Sequence, residues 1–79
     1  MIDYGSPVAP YRQVAALLRA RIEAGELPPG TRLPSIATLV QEYGIARTTA
    51  AKALRLLVSE GLAEVSEGLG TFVARPDGQ

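Results

Sequence analysis

Residues 33–54, LPSIATLVQEYGIARTTAAKAL, decide the predicted fold of this chain. Ser35 is a favourable N-cap residue, because its hydroxyl oxygen can accept a hydrogen bond from a free backbone N–H of the first helical turn. A helix is therefore predicted over residues 36–43, and Gly44 would end it in the left-handed conformation that glycine adopts without strain. A second helix is predicted to begin near Arg47. The stretch thus indicates two helices joined by a tight turn.

The flanking sequence predicts one further helix and extends the second. Pro10 suits the first turn of a helix, where its missing N–H costs nothing, and Gly25 suits the position just beyond a helix end. The helix that begins near Arg47 would end before Gly61. Apolar residues at helical spacing define one face of each helix. They are Tyr11, Val14, Ala15, Leu18 and Ile22 in the first, and Ala50, Ala53, Leu54, Leu57 and Val58 in the last.

A β-hairpin is predicted after the last helix. Residues 62–65 and 71–74 have the composition of short strands, and residues 66–70 provide two glycines for the turn between them. Another short strand is predicted at residues 31–33. The order helix, short strand, helix, helix, hairpin is that of a three-helix winged helix-turn-helix, a mainly α fold with a small β-hairpin (α+β).

The predicted domain occupies residues 10–75. Residues 1–9 are expected to form a flexible N-terminal lead-in, and residues 76–79 a disordered C-terminal tail. With 79 residues the chain has no room for a second core. Its composition, 47% hydrophobic and 20% charged, is typical of a globular protein.

The composition argues against several functional classes. There is no cysteine and no histidine, so disulfides, thiolate metal sites and the commonest general base are missing. We expect no enzyme activity, no catalytic residue, no metal site and no cofactor, since no nucleophile has an activating partner. No apolar run is long enough to span a membrane and the N-terminus lacks a signal-peptide pattern, which together predict a cytoplasmic protein.

The placement of charge favours nucleic acid more than the total charge does. The formal net charge is zero, which is unfavourable for neutralising phosphates. Over residues 45–59, however, the charged residues are Arg47, Lys52 and Arg55, and none is acidic. The last helix is therefore predicted to have a basic outer face.

Six blocks of sequence, in fixed order, carry a family resemblance. They are YRQVA at 11–15, LPPGTRLPS at 27–35, GIARTT at 44–49, AL at 53–54, EGL at 60–62 and GLGTFV at 68–73. Together they resemble the N-terminal DNA-binding domain of GntR-type bacterial transcription regulators. The resemblance implies a repressor that binds a palindromic operator in double-stranded DNA as a homodimer, at the bacterial nucleoid. The family usually adds a C-terminal domain, so a small-molecule effector is expected only if such a domain exists elsewhere.

The resemblance carries DNA contacts over residue by residue. Ser35 matches a phosphate contact at the start of the second helix. Arg47 and Thr48 match base and backbone contacts at the start of the recognition helix, and Thr49 matches a neighbouring hydroxyl. Gly68 matches the glycine at the tip of the hairpin, or wing, where the backbone approaches the minor groove.

Other positions extend this site or depart from the family pattern. Lys52 and Arg55 are expected to contact phosphates from the outer face of the recognition helix, and Leu69 to approach the minor groove. Ala37 and Ala51 stand where the pattern has arginine. Each missing arginine–guanine pair would forgo about 1–3 kcal/mol of discrimination between bases.

An alternative from another class stays open on the sequence alone. The winged helix could be a protein-interaction or dimerisation module with reduced or lost DNA binding. The zero net charge, the two alanines and the acidic Glu67 of the wing favour this alternative.

Overall fold

The computed structural model describes residues 2–75 and consists of three helices followed by a two-stranded hairpin. The elements are α1 (Pro10–Glu23), α2 (Ile36–Tyr43), α3 (Arg47–Ser59), β1 (Ala63–Ser66) and β2 (Gly70–Val73). The predicted three-helix winged helix-turn-helix is confirmed. The tail predicted at residues 76–79 lies outside the described residues.

The core lies between the three helices and the hairpin. Both predicted apolar stripes face it, although Tyr11, Ile22 and Val58 are only partly buried. The fully enclosed positions come from all three helices: Val14, Ala15 and Leu18 of α1, Leu39 of α2, and Ala50, Ala53 and Leu57 of α3. The alanines bring the helix backbones close together, and the leucines fill the space beside them.

The local signals at both ends of α2 act as the sequence predicts. The Oγ of Ser35 accepts a hydrogen bond from the N–H of Thr38 over 3.1 Å. Gly44 has a φ of 64°, and its N–H donates to the carbonyl oxygen of Val40. The hydroxyl of Tyr4 donates to the carbonyl oxygen of Gly44 over 3.3 Å. The turn between α2 and α3 is thus fixed by its own sequence and by one contact from the N-terminal segment.

Replacing Gly44 with alanine is expected to lower the free energy of unfolding by about 1–2 kcal/mol, because an L-residue in this conformation brings its Cβ against its own backbone. Apart from the chain neighbours, no described residue has a heavy atom within 4 Å of the position a Cβ would take. Backbone strain is therefore the only expected cost, and urea denaturation measures it. Gly44→Asn is the matched control and should lose less, since asparagine tolerates positive φ. An alanine variant as stable as the parent would contradict this explanation.

In the hairpin, called the wing below, each strand lies one residue closer to the turn than predicted. Ala63 pairs with Val73, and both are buried, whereas Val65 is 66% exposed. The linker before α2 is attached to the wing by an isolated antiparallel bridge between Arg32 and Phe72. The short strand predicted before α2 is thus reduced to a single bridge that joins this linker to β2.

The described part of the predicted lead-in packs against α1. Ile2 is buried in the core. The side-chain amide of Gln13 donates to the carbonyl oxygens of Asp3 and Val8 over 2.7 and 2.8 Å, and its oxygen accepts from the N–H of Asp3. The flexibility predicted for residues 1–9 stays a prediction. These contacts were not anticipated, since one apolar residue ahead of a polar stretch produces no periodic pattern.

Candidate nucleic-acid interface

The N-terminus of α3 presents an exposed cation and unpaired backbone donors. Arg47 and Thr48 are exposed, and Thr49 is partly buried. The N-cap residue is Ala46, so no side chain of its own satisfies the first turn. The first N–H groups of a helix have no intrahelical acceptor, and here they lie beside a guanidinium. An anion at this end would meet both the backbone donors and the positive charge.

The position of Arg47 at the start of α3 does not stabilise the helix. A cation at a helix N-terminus opposes the macrodipole, which disfavours it by about 0.3–1 kcal/mol at an exposed site. Among the described residues the ion pairs are Arg19–Glu60 and Arg21–Glu26, at 2.7 and 3.5 Å, so Arg47 has no carboxylate partner there. Helix stability therefore does not account for an arginine at this position.

A second group of cations surrounds Tyr11 at the start of α1. Lys52 and Arg55, on the exposed face of α3, line a shallow cleft with this tyrosine. The Lys52 Nζ lies 5.7 Å from the centre of the Tyr11 ring, and the Arg12 guanidinium lies 5.3 Å from it. Such distances allow cation–π attraction. Arg12 is not among the predicted site residues, because helical spacing places it off the core face without indicating that the adjacent Tyr11 lies beside Lys52 of α3.

A cleft of about 320 Å³ separates the start of α2 from the base of the wing. This α2–wing cleft is lined by Arg32, Ser35, Ala37, Arg47 and Gly70, among others. It brings the predicted phosphate contact at the start of α2 together with the first residue of the recognition helix. The residue at position 37, where the resemblance leads one to expect arginine, is a short alanine in this cleft.

Ser35 has a structural role in the free protein. Besides capping α2, its hydroxyl lies 3.0 Å from the Oγ1 of Thr38. Its side chain is therefore occupied, and the N–H groups of the first turn of α2 are the donors left for a phosphate. Serine was predicted both as a cap and as a phosphate contact, and the cap is confirmed.

The wing tip lies apart from both clefts. Gly68 has a φ of 79°, and Leu69 is 62% exposed. The N–H of Leu69 donates to the carbonyl oxygen of Ser66 over 2.9 Å, which closes the turn. Six of the predicted contacts fall into three places, namely the α2–wing cleft, the cleft beside Tyr11 and the wing tip. The other two, Thr48 and Thr49, follow Arg47 in the first turn of α3 and line neither cleft.

The α2–wing cleft also contains Arg32, which is not among the predicted site residues. Arg32 is exposed, and its guanidinium covers Gly70 at the base of the wing. No sequence signal indicated this, since the contact joins two segments that only the fold brings together.

Over residues 2–75 there is no cluster of three or more Asp, Glu, His or Cys residues that could hold a metal ion. In the same part of the chain no helix has the length and apolar character needed to cross a membrane.

Comparison with protein families matches residues 10–73 to the model described as bacterial regulatory proteins, gntR family. The histidine utilization repressor of Pseudomonas aeruginosa is 42% identical over 73 residues, covering 92% of this chain and 29% of its own length. The HTH-type transcriptional repressor NagR of Bacillus subtilis is 41% identical over 75 residues, covering 95% of this chain and 31% of its own length. The chain therefore spans less than a third of either relative.

Solved structures include close matches to the whole fold. YtrA from Sulfolobus acidocaldarius, a GntR-family transcription factor, superposes with a TM-score of 0.83 at 35% identity, covering 98% of this chain and 65% of YtrA. The DNA-binding domain of AraR in complex with operator ORE1 superposes with a TM-score of 0.83 at 34% identity, covering 94% of this chain and 90% of that domain.

Proposed function

This chain belongs to the GntR family of bacterial regulatory proteins, and we propose that it is the DNA-binding domain of a transcription repressor that recognises an operator in duplex DNA. The observation that carries the proposal is the N-terminus of α3, where Arg47 and unpaired backbone donors are exposed together. The likeness to a domain solved on its operator supports it independently.

In the proposed complex α3 lies in the major groove. Arg47 and Thr48 contact base edges and the DNA backbone, and Thr49 adds a hydroxyl beside them. Lys52 and Arg55 contact phosphates from the exposed face of α3, close to Tyr11. The contacts at the start of α3 would recognise bases, and the phosphate contacts along its length would position the helix on the DNA.

The remaining contacts lie on either side of the recognition helix. The first turn of α2, capped by Ser35, holds a phosphate through its backbone donors. Gly68 and Leu69 approach the minor groove at the wing tip. The exposure of Leu69 supports an apolar contact there rather than an ionic one.

We further propose that two copies bind a palindromic operator as a homodimer at the nucleoid, in the cytoplasm. A single domain with three or four cationic phosphate contacts should bind weakly, because each contact adds only about 0.9 to the salt slope. Two copies on half-sites about 34 Å apart would combine their affinities. A small-molecule effector belongs to the proposal only for a longer protein of the relatives' size. We assign no reaction to the chain.

Selection of bound duplexes from a random-sequence library tests this function. We expect enriched sequences to contain an inverted repeat, and binding to fall with salt with a slope of about −3 per protomer. The competing hypothesis is the protein-interaction module. Absence of enrichment and of binding at low salt, together with a discrete oligomer in sedimentation, would favour that alternative and contradict the proposal.

A further inference from the structure

The backbone on both sides of Arg32 is fixed to the wing. The N–H of Val73 donates to the carbonyl oxygen of Thr31, and the N–H of Leu33 donates to that of Thr71, each over 2.8 Å. Arg32 itself is bridged to Phe72. The side chain of Arg32 therefore starts from a well-defined position at the base of the wing.

The guanidinium of Arg32 covers the open face of Gly70. A Cβ added to Gly70 would lie 2.7 Å from Nε and 3.2 Å from Cζ of Arg32. Any side chain at position 70 would thus displace the guanidinium. The absence of a side chain there lets Arg32 reach the α2–wing cleft, where it lies with Arg47 and the start of α2.

Arg32 has no carboxylate partner in the part of the chain that the structure describes. Both ion pairs found there use other arginines. The residues that line the α2–wing cleft include two arginines and no described carboxylate. Like charges in one cleft repel each other, so the pair of guanidinium groups does not stabilise the free protein. An anion bound between them would be attracted by both.

We propose that Arg32 binds a DNA phosphate in the α2–wing cleft. This inference rests on the proposed function and adds a contact to it. A phosphodiester fits the cleft because a planar guanidinium pairs with two phosphate oxygens, and because the first turn of α2 supplies backbone donors beside it. Ala37 leaves the space between Arg32 and Arg47 unfilled.

A series of variants that remove, keep or move the positive charge of Arg32 tests the proposed phosphate contact. Binding of a labelled random-sequence duplex is measured over a range of salt concentrations for Arg32→Gln, Arg32→Lys and the double variant Arg32→Gln/Ala37→Arg. The glutamine variant should have a salt slope less steep by about 0.9, because one phosphate contact is lost. The lysine variant should keep the slope, and arginine at position 37 should restore it from the same cleft. Arg21→Gln is the matched control, because Arg21 is paired with Glu26.

The outcomes separate this inference from the function on which it rests. An unchanged slope for Arg32→Gln, with normal binding by the parent and loss of binding by Arg47→Ala, would overturn the Arg32 contact alone. Equal loss of slope in the lysine and glutamine variants would also overturn it, because it would indicate that packing on Gly70 matters and charge does not. Failure of the parent chain to bind duplex would overturn both. Urea denaturation of each variant confirms that the domain is folded.

Discussion

Replacing Arg47 with alanine is expected to weaken binding to a selected operator about 10- to 100-fold at moderate salt, because one bidentate contact to a base contributes about 1–3 kcal/mol. Arg47 is the first residue of α3 and has no ion-pair partner in the described chain. The loss should be larger for the operator than for a random duplex, since part of it is base recognition. A mobility-shift titration with both probes measures the difference.

Arg21→Ala is the control for Arg47→Ala, because it removes the same side chain from a position already paired with Glu26. It should leave operator affinity unchanged. The Arg47 variant itself should unfold at the same or slightly higher urea concentration, since it relieves a cation at a helix N-terminus. Operator binding unchanged by Arg47→Ala would show that the domain docks on DNA in another way.

Replacing Leu57 with alanine is expected to lower the free energy of unfolding by about 2–5 kcal/mol, because it leaves a cavity that the surrounding helices only partly fill. Leu57 is 0% exposed and lies on α3 among the residues that pack against α1 and the wing. A domain of this size has a total stability of about 4–12 kcal/mol, so the variant would lose a large share of it. Urea denaturation at constant temperature measures the change.

Leu69→Ala provides the matched control for this substitution. The same atoms are removed from the wing tip, where the leucine is 62% exposed. Its effect on unfolding should stay within about 0.5 kcal/mol. Comparable losses for the two leucines would contradict the position assigned to the core.

The fold could be predicted where a single residue determines the end of a helix. Pro10, Ser35 and Gly44 each determine a helix end through their own hydrogen bonding or backbone conformation, and all three ends lie where predicted. The wing strands lie one residue closer to the turn than the sequence predicts, because Ser66 and Gly70, predicted in the turn, pair as the last residue of β1 and the first of β2. The register between the two strands is that of the predicted hairpin, because residues 62–65 and 71–74 would pair in the same way, so only the strand ends differ.

The candidate site was predictable only in part, for a different reason. Residues on α3 could be placed because helical periodicity separates its exposed face from its buried one. Arg12 and Arg32 could not be placed. Arg12 joins the site only because its neighbour Tyr11 lies beside Lys52 of α3, and Arg32 because Gly70 lies beside the linker. Such proximity between distant segments leaves no trace in the spacing of a single sequence.

Ala46, the uncapped start of α3, would link the stability of the free domain to the affinity of the proposed complex with DNA. Within the helix-turn-helix, α2 has its own serine cap, whereas α3 begins after an alanine. A serine at position 46 would stabilise the free helix by about 1 kcal/mol, yet its hydroxyl would occupy a backbone donor that is otherwise free to contact DNA in the proposed complex. If the proposed function holds, a substitution that stabilises the free domain at this residue would weaken its binding to DNA. In the proposed complex, DNA would then provide the acceptor that the missing cap of α3 does not.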